Sequence, residues 1–233
     1  MIPNPRPGPL LIKGALVQLV EDIVGFAMPN VIPFQYNPEK FSWSVEPWKP
    51  QEVDQTQRGA QAPTVQPYDP RQTINLSLEL DAAEDLKNVD PTALVYGVAD
   101  RLAALRKLTY PSQGLFNDLL RSAKTLSEGS SGVLERPTVP VVLLAYGPSR
   151  ILPVRVTSFS VDEVLHNATL HPLQATVSLG LEVLAPDVFP CRMNETEKLA
   201  ASAYSYTRLI EDSLAIAAMA KSASRAVGLL PFF

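Results

Sequence analysis

The stretch Ile74-Asn75-Leu76-Ser77-Leu78-Glu79-Leu80 decides the fold class. Isoleucine and leucine take every second position, and Asn, Ser and Glu fill the places between. Successive side chains of a strand point to opposite faces, so this alternation specifies a strand with one apolar and one polar face. The pattern recurs upstream, where Phe41, Trp43 and Val45 alternate with Ser42 and Ser44. It recurs downstream, where Val177, Leu179, Leu181 and Val183 alternate with Ser178, Gly180 and Glu182.

Working outward, a first strand is expected near Ile12–Val20, followed by a short aromatic stretch, Val31–Tyr36. Asn37-Pro38-Glu39 reads as a turn before the Phe41 strand, because Asn tolerates turn geometry and Pro removes a ladder donor. Three further strands are expected in quick order near Val139–Ala145, Ile151–Val161 and Ala175–Leu184, the first turning at Tyr146-Gly147-Pro148. Strands this close in sequence pair antiparallel, since parallel neighbours need a long crossover.

Helices are signalled at two places. Asp90-Pro91 supplies an N-cap and a first-turn proline, and Leu94, Val98, Leu102 and Leu105 give a single apolar stripe. Arg101, Arg106 and Lys107 then fall toward the C-terminal end of that helix, where they suit its dipole. A short helix over Leu115–Leu126 and a flexible joint over Ser127–Gly132 follow. Near the end, Asn194-x-x-Glu197 has the spacing of a capping box. The helix it opens carries Leu199, Ala203, Tyr206, Ile210, Leu214 and Ala217 in a narrow stripe, and Gly228 reads as its stop. The apolar tail ending in Phe232 and Phe233 is expected to pack on its own domain or on a partner.

The fold class that results is mainly β with helices (α+β): an antiparallel sandwich or barrel with a flanking helix and a C-terminal helix. Residues 1–9, with prolines at 3, 5, 7 and 9, form an extended arm. Residues 10–188 form the β domain, which carries a long Pro- and Gln-rich loop over 46–71, and 189–233 form a helical extension. The loop reads either as an arm toward a neighbouring subunit or as a mobile surface loop.

Composition narrows the function classes. The chain has 233 residues, 46% of them apolar, which is enough for a sizeable core. The net charge of −4 is spread without a basic block, which argues against nucleic-acid binding and against an electrostatic membrane anchor. No apolar run approaches the roughly 20 residues that cross a bilayer. The single cysteine, Cys191, excludes an intrachain disulfide and reads as a half-buried inert thiol. Synthesis and assembly in the cytoplasm are expected.

Catalytic patterns are absent. There is no G-x-x-x-x-G-K-[ST] phosphate loop, no G-x-G-x-x-G and no G-x-S-x-G elbow. His166 and His171 are five apart in a strand connection, not at the i, i+4 spacing of a zinc helix. Glu79 with Asp81, and Asp162 with Glu163, read as solvent-facing strand-end acids. No enzyme activity, cofactor or metal is expected.

One resemblance adds to this reading. The order Ile12-Lys13-Gly14-Ala15-Leu16-Val17, then Val31-Ile32-Pro33-Phe34-Gln35-Tyr36-Asn37-Pro38, resembles the tube-like N-terminal domain of contractile injection system baseplate proteins. In that family an aromatic-x-aromatic-Asn-Pro segment, here Phe34, Tyr36, Asn37 and Pro38, follows the opening strand. Pro140–Gly147, Leu152–Ser158 and Pro172–Val177 look like its closing strands, so the resemblance covers roughly residues 10–186. It implies a tail-tube fold, a ring of six copies, and contacts with inner-tube subunits, a spike hub and baseplate proteins. It also implies a polar lumen lining from Ser42, Ser44, Asn75, Ser77 and Ser178; a solvated face on a monomer is the plainer account of those residues. Many adaptor members carry a LysM module at the C-terminus, whereas this chain has the helix from Asn194 and an apolar tail. Trp43, Trp48, Leu199, Tyr206, Ile210, Leu214, Phe232 and Phe233 are the candidate assembly contacts. A repeating inner-tube subunit is the near alternative. A ligand-binding barrel, with Trp43, Trp48 and Tyr36 around a pocket, is the alternative of a different class.

Overall fold

The computed structural model describes residues 12–19, 30–47, 68–110 and 140–226, with side chains to residue 222. The expected arm over 1–9, the helix over 115–126, most of the long loop, Trp48, Gly228 and the Phe232–Phe233 tail lie outside the described residues.

Seven strands form one antiparallel sheet: β1 (Ala15–Gln18), β2 (Asn30–Pro33), β3 (Phe41–Glu46), β4 (Arg71–Asp81), β5 (Val142–Ala145), β6 (Ile151–His166) and β7 (Pro172–Val183). Their order across the sheet is β2-β1-β5-β6-β7-β4-β3. The α+β architecture read from the sequence is therefore present. The alternating stretches form strands because alternation matches the pleat. Gln72, Ile74, Leu76, Leu78 and Leu80 of β4 are all buried, as are Val177, Leu179, Leu181 and Val183 of β7.

The sheet curls far enough to bring distant strands together. Phe41 of β3 stacks on Tyr146, which follows β5, with ring centroids 4.7 Å apart. Three strands lie between β5 and β3, so a flat sheet would hold them about 19 Å apart at the usual strand spacing. Arg150 lies over both Phe41 and Trp43, at 5.6 and 5.8 Å from the ring centroids. Leucines and valines from β1, β4, β5, β6 and β7 consequently share one core.

Helices plug this curl. The stripe expected as a single helix is broken: α1 (Ala83–Lys87), α2 (Pro91–Tyr96) and α3 (Ala99–Lys107) are separate. Asp90 caps α2 as expected, accepting from the amides of Thr92 and Ala93 at 2.7 and 3.3 Å. The break falls at Gly97, whose φ is 58°, and the Val98 amide turns to the Pro172 carbonyl at 2.8 Å. Val98, Leu105 and Leu108 enter the core, while Leu94 is left exposed on α2. Arg101 sits in the first turn of α3, not near its end, and its charge serves a tertiary contact instead of the dipole.

The last helix, α4 (Glu195–Ala226), begins with the expected capping box. Asn194 Oδ1 accepts from the Glu197 amide at 2.8 Å, and Glu197 Oε2 accepts from the Asn194 amide at 2.9 Å. The face laid on the body is Thr196, Ala200, Tyr204 and Thr207, offset from the expected stripe. Three of these four side chains are small, which lets the helix approach the sheet closely. From residue 212 to 222 every side chain is exposed. No helix among the described residues is long and apolar enough to cross a membrane.

Candidate functional site

The residues of the aromatic-x-aromatic-Asn-Pro segment perform separable tasks. Phe34 is buried and its amide bonds the Gly14 carbonyl at 2.8 Å. Asn37 clamps the chain entering β1: its Oδ1 accepts from the Gly14 amide at 2.9 Å, and its Nδ2 donates to the Ile12 carbonyl at 2.9 Å. Pro38 is buried and Tyr36 is exposed. Gln35, which the sequence reading passed over, bridges from the β2 edge to β4. Its amide donates to the Asp81 carbonyl at 2.7 Å and its oxygen accepts from the Asp81 amide at 2.9 Å, so the side chain pairs as a peptide group would. Arg101 donates to the same Gln35 oxygen at 2.7 Å and forms an ion pair with Asp85. This segment is thus a structural clamp between the two ends of the curled sheet.

The polar face of the sheet is the second candidate. Registration places Ser42 beside Asn75, Asn75 beside Gly180, and Gly180 beside Ser158. One rung along, Ser77 pairs with Ser178 and Ser178 with Ser160. These side chains and Lys40 line a shallow groove of about 440 Å³. Its floor depends on Gly180, because a Cβ there would stand 2.2 Å from Ser158 Oγ. Four of the five residues read as a polar lining, Ser42, Asn75, Ser77 and Ser178, are brought into one groove; Ser44 pairs with Thr73, a rung away. Ser158 and Ser160 complete the groove and were missed, although Ser158-Phe159-Ser160-Val161 carries the same period-two signal. A hydroxyl-rich surface of this kind offers donors and acceptors with little net charge.

Three stretches of sheet edge are open among the described residues. β2 and β3 are the terminal strands, and β6 pairs with β5 only over Ile151–Val154, leaving one edge of Arg155–His166 unpaired. Val164 and Leu165 on that stretch are exposed.

The remaining candidates are dispersed. Trp43 is 37% exposed at the β3 edge, and neither it nor Tyr36 lines a groove described here. Leu199, Tyr206 and Leu214 are exposed on α4 and Ile210 is half-buried; Tyr206 donates to the Pro148 carbonyl at 3.1 Å. Thr207 fixes the helix more firmly, accepting from the Ile151 amide at 3.0 Å and donating to the Ile151 carbonyl at 2.8 Å. Tyr204 donates to Asp69 at 2.8 Å, and burial, followed by that hydrogen bond, pushes its phenol well above the ordinary tyrosine value.

The histidines do not converge. His166 stands 3.3 Å from Glu163, and His171 meets Tyr96 edge-on at 5.2 Å between centroids. Among the described residues no three His, Cys, Asp or Glu side chains group as metal ligands. Cys191 is exposed, not half-buried as expected, because it lies in the non-regular stretch between β7 and α4. A scan against protein-family models matches none over this chain, and a search of curated proteins returns no match.

Proposed function

We propose that this chain is a structural subunit that closes into a ring with copies of itself, as a tube initiator or baseplate adaptor between the spike hub and inner tube of a phage-like contractile injection system. The observation that carries this reading is the pairing of a hydroxyl-lined sheet face with two open strand edges flanking it, β3 and the outer part of β6. Open edges invite pairing with another chain, and a ring of sheets removes them while turning one face inward. Heterologous contacts, β3 of one copy toward β6 of the next, close when the rotation between copies closes. The hydroxyl groove then faces the lumen, with Lys40 its one charged lining residue and no aromatic side chain among them to retain a passing cargo. The resemblance of residues 10–186 to tube-type domains supports the same reading. A repeating tube subunit shares all of these features, and α4 is the element that favours an adaptor.

Light scattering and negative-stain imaging of the purified protein test the proposal. Rings are expected, alone or once a hub or tube partner is added, and stacked tubes would select the repeating subunit. A strictly monomeric species at high concentration under both conditions overturns it.

A further inference from the structure

The outer edge of β3 and the unpaired stretch of β6 carry matching patterns. On the polar face β3, with the residue before it, presents Lys40, Ser42, Ser44 and Glu46: a cation, two hydroxyls and an anion. On β6 the same face presents Arg155, Ser158, Ser160 and Asp162, again a cation, two hydroxyls and an anion. The bulge between Val156 and Ser158 brings Arg155 onto that face. All eight side chains are exposed, and none of the four charged ones has an ion pair among the described residues.

The sheet fixes how two copies can meet. Adjacent strands from β6 through β7 and β4 to β3 are antiparallel, so β6 and β3 run in opposite senses. Rotation about a ring axis keeps each strand's sense along that axis, so β3 of one copy meets β6 of the next antiparallel. That approach sets Lys40 opposite Asp162, Ser42 opposite Ser160, Ser44 opposite Ser158 and, across the bulge, Glu46 opposite Arg155. A parallel approach sets Lys40 beside Arg155 and Glu46 beside Asp162, like charge against like, which is destabilising. The backbone agrees with the antiparallel register. The Ala82 amide bonds the Leu173 carbonyl, and the Leu184 amide bonds the Pro153 carbonyl. Peptide groups alternate from these fixed points, so Trp43 on β3 and Phe159 on β6 turn theirs to the open edges. The register places these two residues opposite each other. Trp43 is exposed and Phe159 half-buried, so the same contact covers an aromatic pair on the other face.

We infer that Lys40, Glu46, Arg155 and Asp162 set the direction and register of self-pairing: β3 of one copy adds antiparallel to residues 155–162 of the next, with Lys40 on Asp162 and Glu46 on Arg155. This rests on the ring reading and names the contacts that select it. Ring formation by the full chain, followed by light scattering and negative-stain imaging, tests it. Lys40→Glu and Asp162→Lys each set like charges together, and each is expected to raise the protein concentration at which rings form about fivefold or more. Mixing the two variants restores assembly, because alternating copies meet with opposite charges again. The double variant Lys40→Glu/Asp162→Lys restores it within one protein. Neither recovery is open to a chain that has merely misfolded. Wild-type rings with unchanged assembly in both single variants, or with neither recovery, overturn the register and leave the ring reading standing. Assembly lost in Lys40→Glu but kept in Asp162→Lys marks β3 pairing with another β3 and overturns it likewise. A wild-type chain that forms no rings, alone or with a hub or tube partner, overturns both.

Discussion

The two faces of β4 and β7 share one backbone and differ in almost every other respect. On one face Leu76, Leu78, Leu179 and Leu181 are buried and interlock with β1, β5 and the helices. On the other, Asn75 and Ser178 are exposed, with Ser77 half-buried. The first face makes the fold; the second is tolerant of change for stability and is therefore free to serve assembly. The contrast shows why a period-two pattern is informative about structure on one parity of residues and about function on the other.

The largest expected effect lies on the apolar face. Leu181 is fully buried, and Leu181→Ala is expected to cost about 3 kcal/mol in denaturant unfolding, through lost burial and a cavity. The seam where α4 joins this face sets the next effect. Tyr204 is protonated when folded and its phenol is held above its ordinary value of 10.0, so the stability it contributes is complete below that pH and declines as pH rises through and beyond it. Tyr204→Phe is expected to flatten that alkaline decline in melting temperature while lowering stability near neutrality by about 1 kcal/mol, from the lost bond to Asp69.

Gly180 would break the comparison, because it is buried although it belongs to the polar face. Gly180→Ala is expected to cost about 1 kcal/mol by thermal unfolding, with Ser158→Ala in the same protein recovering most of it, since the Ser158 hydroxyl is the nearest atom to the added Cβ. The smallest effect is Ser178→Ala, expected to shift stability by less than about 0.5 kcal/mol. A bulky charged replacement, Ser178→Glu, is likewise expected to leave the monomer folded by circular dichroism while reducing ring formation, which separates the two faces most sharply.

Much of the sheet was legible because its signals are local. Alternation in β4 and β7, the Asp90 cap and the Asn194–Glu197 box each lie within a few residues of sequence, and each is where the pattern places it. What was not legible depends on partners far along the chain. The break at Gly97 is completed by a bond from Val98 to Pro172, and Gln35 acts only because Asp81 ends β4 beside it. The docking face of α4 was misread because leucine spacing suggests burial. The sheet instead accepts alanine and threonine, and Thr207 contributes hydrogen bonds where a larger apolar side chain would hold the helix away. The polar groove was half legible: alternation marks its serines on β3, β4, β7 and β6 alike, whereas the placing of Ser158 and Ser160 beside Gly180 and Ser178 required the register across the bulge between Val156 and Ser158.

Gly14 carries a consequence for how such a sequence can drift. A Cβ at this position would lie 2.6 Å from the Phe34 ring and 3.3 Å from Tyr146, whose ring in turn stacks on Phe41. Positions 14, 34, 146 and 41 thus share a fixed volume although they come from four separate stretches of chain. A gain of one methyl at the first must be matched by a loss of ring at another, so these four positions are free to change only as a set. A designer transplanting this packed cluster into another sheet would have to move all four together.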